Sequence, residues 1–159
     1  MQLPKPHEAE IQNASCDFVH LALDMFVPSV ANMREHWAAK HRRVKAQRET
    51  ALLCLKMHGK FPREFDGLVI VTLTRTGGRR LDDDNLRSAF KAVRDGVADW
   101  LGIDDGSHRI QWKYDQKPGG KKGTIIKISG IIPAVNMSKK RAERVLLSPA
   151  GSDQYAPTV

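Results

Sequence analysis

The stretch GLVIVTLTRTGGRRLDDDNLRSAFKAVRDGVADWLG, residues 67–102, contains a strand, a break and a helix in succession. Residues 67–75 are β-branched and almost continuously apolar, which predicts a strand buried on at least one face. The glycines of TGGRR end this strand. A helix is then predicted from Asp84 or Asn85, both favoured N-cap residues, to Leu101, with Gly102 as its C-cap.

Apolar residues recur along this predicted helix at helical spacing. One stripe, which we interpret as the core face, contains Leu86, Phe90, Val93, Val97 and Leu101. A turn of about 100° per residue places a second set of side chains together on the opposite side, namely Asp84, Ser88, Lys91 and Asp95. An acidic and a basic side chain therefore share the predicted solvent face.

The rest of the chain predicts three more strands and one more helix. CDFVHLALDMFVP, residues 16–28, alternates like a strand, and a helix is predicted from Asn32 to the glycine stop at Gly59. Residues 108–116 and 122–132 also alternate, and KPGG between them predicts an antiparallel hairpin with a basic tip. The predicted fold is α+β, a small mixed β-sheet with two helices in the order β-α-β-α-β-β.

Length and composition favour one globular domain. A chain of 159 residues is long enough to bury a core without disulfides, and it has only two cysteines, with no C-x-x-C spacing. We predict a flexible leader over 1–14, a domain over 15–133 and a mobile or partner-docked tail over 134–159. The chain shows no signal-peptide-like or membrane-spanning apolar run, so we expect a soluble cytoplasmic protein with no membrane partner.

The chain is strongly basic. It has 26 Lys and Arg residues against 18 Asp and Glu residues, a net charge of +8. This balance favours a polyanionic partner such as nucleic acid. The first half of the first predicted helix holds many of these cations, and both a solvated face and a phosphate-facing surface account for them.

Three consecutive aspartates, Asp82 to Asp84, stand out against this basic background. Helix capping is one explanation, because negative charge near a helix N-terminus stabilises it, but one aspartate is enough for that. A second pair, Asp104 and Asp105, follows the same helix at a turn, so a metal site is the other explanation. A calcium-binding EF-hand loop is excluded, since Arg87 stands where that loop needs glycine.

The acidic pattern resembles the RusA family of Holliday junction resolvases, small basic dimeric nucleases of bacteria and their phages. The matching signature is a basic pair, Arg79 and Arg80, then D-x-D-N at residues 82–85, a helix, and a D-D pair at residues 104–105. The segment VPSVAN after the first strand and the two closing strands are also similar to the family. The resemblance spans about residues 16–132.

The resemblance implies that Asp82, Asp84 and Asp105 bind Mg²⁺, with Mn²⁺ as a possible substitute, and support catalysis. The family's essential lysine is missing, because Ser88 occupies that position. Lys91, one turn further along the same face, is the candidate replacement. Contacts to DNA phosphates are expected from the basic residues Arg75, Arg79, Arg80, Arg87, Lys117, Lys121 and Lys122.

We therefore expect a Mg²⁺-dependent endonuclease that cleaves phosphodiester bonds in branched DNA such as Holliday junctions, in recombination and repair. A homodimer is expected, because paired cuts in a four-way junction need two equivalent sites, and no nucleotide cofactor is needed. The alternative is a non-catalytic DNA-binding protein on the same fold. A third reading is an accessory protein whose tail and tryptophans contact a replication or recombination partner.

Overall fold

The described residues form four strands and three helices. The computed structural model describes residues 14–30 and 33–132, and residues 15–131 form one compact unit. In chain order the elements are β1 (Ala14–Leu23), α1 (Trp37–His58), β2 (Leu68–Thr76), α2 (Asp83–Ala89), α3 (Lys91–Leu101), β3 (Ile110–Lys117) and β4 (Gly123–Ile132). The predicted tail, and the predicted leader apart from Ala14, lie outside the described residues.

The strands form one mixed sheet in the order β1-β4-β2-β3. Strand β2 runs parallel to β3, with Val69 opposite Ile110, and antiparallel to β4, with Leu73 opposite Ile126. The α+β class with a small mixed sheet is therefore confirmed.

The predicted hairpin is wrong, because β2 lies between β3 and β4. Neighbouring strands are about 4.8 Å apart, so the five residues between β3 and β4 can cross over one strand as easily as they can join adjacent ones. Strand β2 is one of the two interior strands, with β4, and its inner face is apolar. Val69, Val71 and Leu73 are fully buried there.

The predicted second helix is present but divided in two. Asp82 caps α2, and α2 and α3 meet at Phe90, whose φ of −84° and ψ of −3° keep the chain near the helical path. Each residue of the predicted core stripe is at most 6% exposed. Phe90 and its neighbours are ordinary helix residues, so propensity contained no signal for the division.

Helix α1 begins at Trp37, later than predicted, because His36 caps it by accepting a hydrogen bond from the Ala38 amide at 3.3 Å. It ends just before Gly59, as predicted. Helix α1 packs on α3 at Gly96, where an added Cβ would lie 2.5 Å from the Arg48 carbonyl oxygen. None of the helices in the described part of the chain has the length and apolar character needed to cross a membrane.

Candidate metal and nucleic-acid site

The loop between β2 and α2 is organised by a buried arginine. Arg75 is 4% exposed, and its guanidinium donates to the carbonyls of Val27 at 2.8 Å, Arg79 at 2.8 Å and Gly77 at 3.3 Å. It also lies 4.4 Å from the centre of the Phe26 ring, and burial lowers the pKa of its guanidinium. These bonds use Nε and Nη1 of Arg75 inside the protein, where they shape the loop, and the expected contact of Arg75 with DNA phosphate stays a prediction.

The same loop passes close to the turn between β3 and β4. Gly77 and Gly78 both have a φ of 73°, a backbone conformation that favours glycine. A Cβ on Gly77 would lie 2.8 Å from the Cα of Lys122, and the Gly77 amide donates to the Lys117 carbonyl at 2.9 Å. The carboxyl ends of the parallel strands β2 and β3 are thus joined at one edge of the sheet.

Gln116, near the end of β3, holds the loop just before the acidic cluster. Its side-chain amide accepts from the Leu81 amide at 2.9 Å and donates to the Leu81 carbonyl at 2.7 Å. This reciprocal pair fixes the backbone that leads into α2. The contact of Gln116 with the Leu81 backbone was not predicted, because a polar residue in an alternating strand carries no signal for a specific partner.

The acidic cluster begins α2. Asp82 is the N-cap, and its two carboxylate oxygens accept from the backbone and side-chain nitrogens of Asn85, each at 2.9 Å. Asp83 and Asp84 follow in the first turn and are exposed. The capping explanation is thus confirmed for Asp82. Each carboxylate oxygen has further lone pairs, so capping leaves acceptor capacity for a cation.

Several of the residues expected to contact DNA phosphates lie at the same edge of the sheet as this cluster. We use "basic edge" for the exposed residues Arg79, Arg80, Lys117, Lys121 and Lys122, which come from the two loops at this edge of the sheet. Within the set, Lys121 pairs with Asp24 at 2.6 Å and Lys122 lies 5.2 Å from the Phe26 ring centre. Arg87 is on α2, exposed, with its guanidinium 5.8 Å from the ring centre of Tyr114.

Asp105 lies apart from the basic edge, beyond the end of α3. Its carboxylate pairs with Arg94 at 3.1 Å, and its carbonyl accepts from Arg94 at 2.8 Å and from the Trp112 indole at 2.9 Å. It opens onto a cleft of about 400 Å³, the acidic cleft, whose charged lining residues are Arg48, Asp95, Asp99, Asp104 and Asp105.

The aspartates of the expected metal site are therefore divided between two places in one chain. Asp82 and Asp84 lie at the start of α2, whereas Arg94, the partner of Asp105, lies in α3. Among residues 14–30 and 33–132, no three His, Cys, Asp or Glu side chains are grouped closely enough to hold a metal ion. Asp82 and Asp84 share one end of the helix pair, and Asp105 does not join them.

Lys91 lies between the two places, at the start of α3. Its side chain is 75% exposed, and its ammonium group is 3.8 Å from the Asp95 carboxylate, as the predicted shared face implies. Asp95 in turn lines the acidic cleft. Lys91 is thus accessible to a ligand, and it contacts the lining of the acidic cleft through Asp95.

Many of the cations on α1 are paired with acidic side chains. Arg43 pairs with Glu35 at 2.9 Å, Lys45 with Glu49 at 3.8 Å and Arg48 with Asp99 at 2.7 Å. These contacts support the solvated-face interpretation for that part of α1.

Comparison with known proteins gives no significant match, either to a protein-family model, to a curated protein or to a solved structure.

Proposed function

We propose that this protein is a Mg²⁺-dependent endodeoxyribonuclease that cleaves phosphodiester bonds in branched DNA, such as Holliday junctions, in recombination and repair. One observation carries the proposal: the exposed carboxylates of Asp82 and Asp84 follow directly on the basic edge, at the end of a loop that Arg75 and Gln116 hold in place. Phosphates attracted to the basic edge would lie beside carboxylates able to bind a divalent cation.

The donor set at the start of α2 fits Mg²⁺. This ion prefers oxygen ligands and is commonly held by one or two carboxylates, substrate phosphate oxygens and several waters. Asp82 and Asp84 would supply the carboxylates, and Mn²⁺ would be accepted by the same oxygens. When bound, the ion supplies charge stabilisation at the phosphate and lowers the pKa of a bound water.

The chain's own cations position the DNA. Arg79 and Arg80 would hold phosphates of the strand beside Asp82 and Asp84, while Lys117, Lys121 and Lys122 would hold the next phosphates along the edge. Such contacts fix the register of DNA without reading base sequence, as a structure-selective enzyme requires.

Asp105 enters this proposal through a homodimer. A two-fold arrangement that places Asp105 of the partner subunit beside Asp82 and Asp84 would complete a three-carboxylate site, twice per dimer. It would also present two equivalent sites to a four-way junction. The Arg94 pair must then open or reorient, because a carboxylate oxygen bound to metal has less capacity for the guanidinium.

A non-catalytic DNA-binding protein is the second candidate. The observation that favours it is the internal pairing of Asp105 with Arg94, together with Ser88 at the position where the family carries lysine. In that case Asp82 is only a helix cap, and the basic edge is the functional surface.

The decisive experiment is cleavage of a labelled four-way junction with Mg²⁺, with Mn²⁺ and with EDTA. We expect nicking with either metal and only a gel shift in EDTA. Asp84→Asn should keep the gel shift and lose nicking, whereas Asp83→Asn, an equally exposed neighbour outside the D-x-D pattern, should keep both. A wild-type protein that shifts the junction without cutting it supports the binding protein instead.

A further inference from the structure

A second and larger cleft adjoins the acidic cleft, and Asp99 belongs to the lining of both. Its volume is about 810 Å³, within the range of ~300–1,000 Å³ typical of small-molecule sites. We use "basic-aromatic cleft" for it, since its lining includes Lys56, Lys60, Arg63, Arg109, Phe61 and Trp100. Neither the expected metal ligands nor the expected phosphate contacts include any of these side chains.

The charge of this cleft is positive. Four cationic side chains line it, and Asp99 is the acidic side chain in the lining. Asp99 already accepts two hydrogen bonds from Arg48, at 2.7 and 2.9 Å, and these bonds lower the pKa of the Asp99 carboxyl. The one carboxylate is therefore ionised but neutralised by a cation outside the cleft, so a bound anion would meet little repulsion.

Two of the aromatic side chains that line the cleft, Trp100 and Phe61, are held in fixed positions. The Trp100 indole donates to the Gly59 carbonyl at 3.0 Å and meets the Phe61 ring at 61°, with 5.6 Å between ring centres. Phe61 belongs to an edge-to-face cluster with Phe18 and Phe65. Trp100 itself is only half-buried, so it presents a fixed aromatic surface at the cleft.

Arg109 is one of the four cations that line the cleft. Its Nη2 donates to the Phe65 carbonyl at 2.6 Å, while its Nε is buried without an acceptor among the described residues. A buried donor without an acceptor costs free energy, and a nearby anion would offset part of that cost. The chemistry that the cleft recognises is thus a flat apolar group that carries negative charge.

We infer that the basic-aromatic cleft binds an unpaired nucleotide of a DNA strand, with its base against Trp100 and its flanking phosphates near Lys56, Lys60 and Arg63. This inference rests on the proposed function for the choice of DNA as the anionic partner. The acidic cleft shares Asp99, Gly102 and Ile103 with this cleft. A strand held here would therefore pass close to Asp105, and branched DNA offers such unpaired nucleotides where its arms meet.

The test is binding of a labelled eight-nucleotide thymidine oligomer in EDTA, measured by fluorescence anisotropy. Stacking on an aromatic side chain is worth ~1–3 kcal/mol per base, so Trp100→Leu should weaken binding about tenfold. Trp37→Leu, at an exposed tryptophan of α1 far from the cleft lining, should not change it. An abasic oligomer of the same length should bind both variants equally, because the base contact is missing.

A second variant keeps the test valid if Trp100→Leu fails to fold. Lys60 and Arg63 are exposed, and replacing both with alanine should reduce the slope of log K against log salt by about 1.4, or ~0.7 per phosphate contact on a single strand. Lys113→Ala, an exposed lysine on β3, serves as the matched control and should leave the slope unchanged.

Unchanged oligomer binding by Trp100→Leu, or an unchanged salt slope in the Lys60 and Arg63 double variant, would overturn the inference. So would an acidic peptide that displaces the oligomer with the same dependence on Trp100, since the cleft would then belong to a protein partner. No metal is present in this assay, so it measures binding at the cleft without the metal-dependent cleavage. A loss of junction cleavage alone therefore refutes the nuclease, and a loss of Trp100 dependence alone refutes the cleft.

Discussion

Both ends of the α2–α3 helix pair carry aspartates, but the two groups differ in how the protein uses their charge. Within the described residues, no ion pair involves Asp82, Asp83 or Asp84. Towards the other end, Asp99 of α3 is paired with Arg48, and Asp105 beyond α3 is paired with Arg94. The first group is open to an external cation, whereas the second is largely neutralised within the chain.

The two ends also differ in how the backbone is held. Before α2, the buried Arg75 and the Gln116 amide fix the loop by hydrogen bonds to its backbone. After α3, the Asp105 carbonyl is held by donors from α3 and β3. Both groups are thus presented on rigid backbone, and the question that separates the proposals is whether the two groups act in one site.

The largest expected effect is the loss of junction cleavage in an Asp105 variant, which tests whether the two groups of aspartates act in one site. If both groups hold one metal, Asp105→Asn should reduce junction cleavage about 1,000-fold, ~4 kcal/mol of transition-state stabilisation, and Asp84→Asn should do the same. Mixed dimers of the two variants then decide where the site lies. A site shared between subunits leaves one intact site in each mixed dimer, so re-equilibrated mixtures should recover about a quarter of wild-type nicking.

Each homodimer alone serves as the control for that mixture. A site built within one chain leaves no intact site in the mixed dimer, and the mixture would stay inactive. Full activity of Asp105→Asn alone would remove Asp105 from the site and leave the start of α2 as the metal centre by itself.

The next effect concerns the loop before α2. Arg75→Met should destabilise the fold by ~3 kcal/mol, because it removes charged hydrogen bonds and leaves buried carbonyls without a donor. Urea denaturation measures this difference. Arg79→Met, at an exposed arginine of the same loop, should change stability by less than ~0.5 kcal/mol. Equal effects of the two variants would mean that Arg75 does not organise the loop.

Lys91 tests which end of the helix pair performs the chemistry. Lys91→Ala should lower the cleavage rate about 100-fold, ~2.7 kcal/mol, if its ammonium group stabilises charge in the transition state. Ser88→Ala, on the same solvent face, should change the rate by less than about threefold. The opposite ranking would place the catalytic group at Ser88 and not at Lys91.

The features that sequence reasoning predicted correctly are local ones. The stripe from Leu86 to Leu101 follows from helical spacing alone, and the burial of β2 follows from its run of β-branched residues. The Gly59 and Gly102 stops are likewise set by backbone conformation at single residues. These patterns need no knowledge of which elements become neighbours.

The features it missed depend on long-range pairing. The turn between β3 and β4 has the residues of a hairpin turn, yet β2 lies between these two strands, and local turn residues do not indicate such an insertion. Arg75 was expected at the DNA-facing surface. Hydropathy does not indicate the backbone carbonyls of Val27 and Arg79, which accept its hydrogen bonds. Asp105 and Asp84 are separated by the helix pair, and the spacing of carboxylates along the sequence does not indicate whether such groups meet in space.

The smallest expected effect concerns the Arg48 pair that neutralises Asp99 between the two clefts. Hydrogen bonds from Arg48 lower the pKa of Asp99 below its ordinary value of 3.8, so the pair stabilises the fold above the unfolded-state pKa. Its contribution should be lost as the pH falls through the lower folded-state pKa. Arg48→Ala should therefore shift the urea midpoint slightly at pH 7 and progressively less as the pH falls below the ordinary aspartate range, while Arg42→Ala, exposed on the same helix, should give no such pH-dependent difference. A midpoint difference for Arg48→Ala that does not change with pH would mean that the arginine stabilises α1 by packing on α3 and not through Asp99.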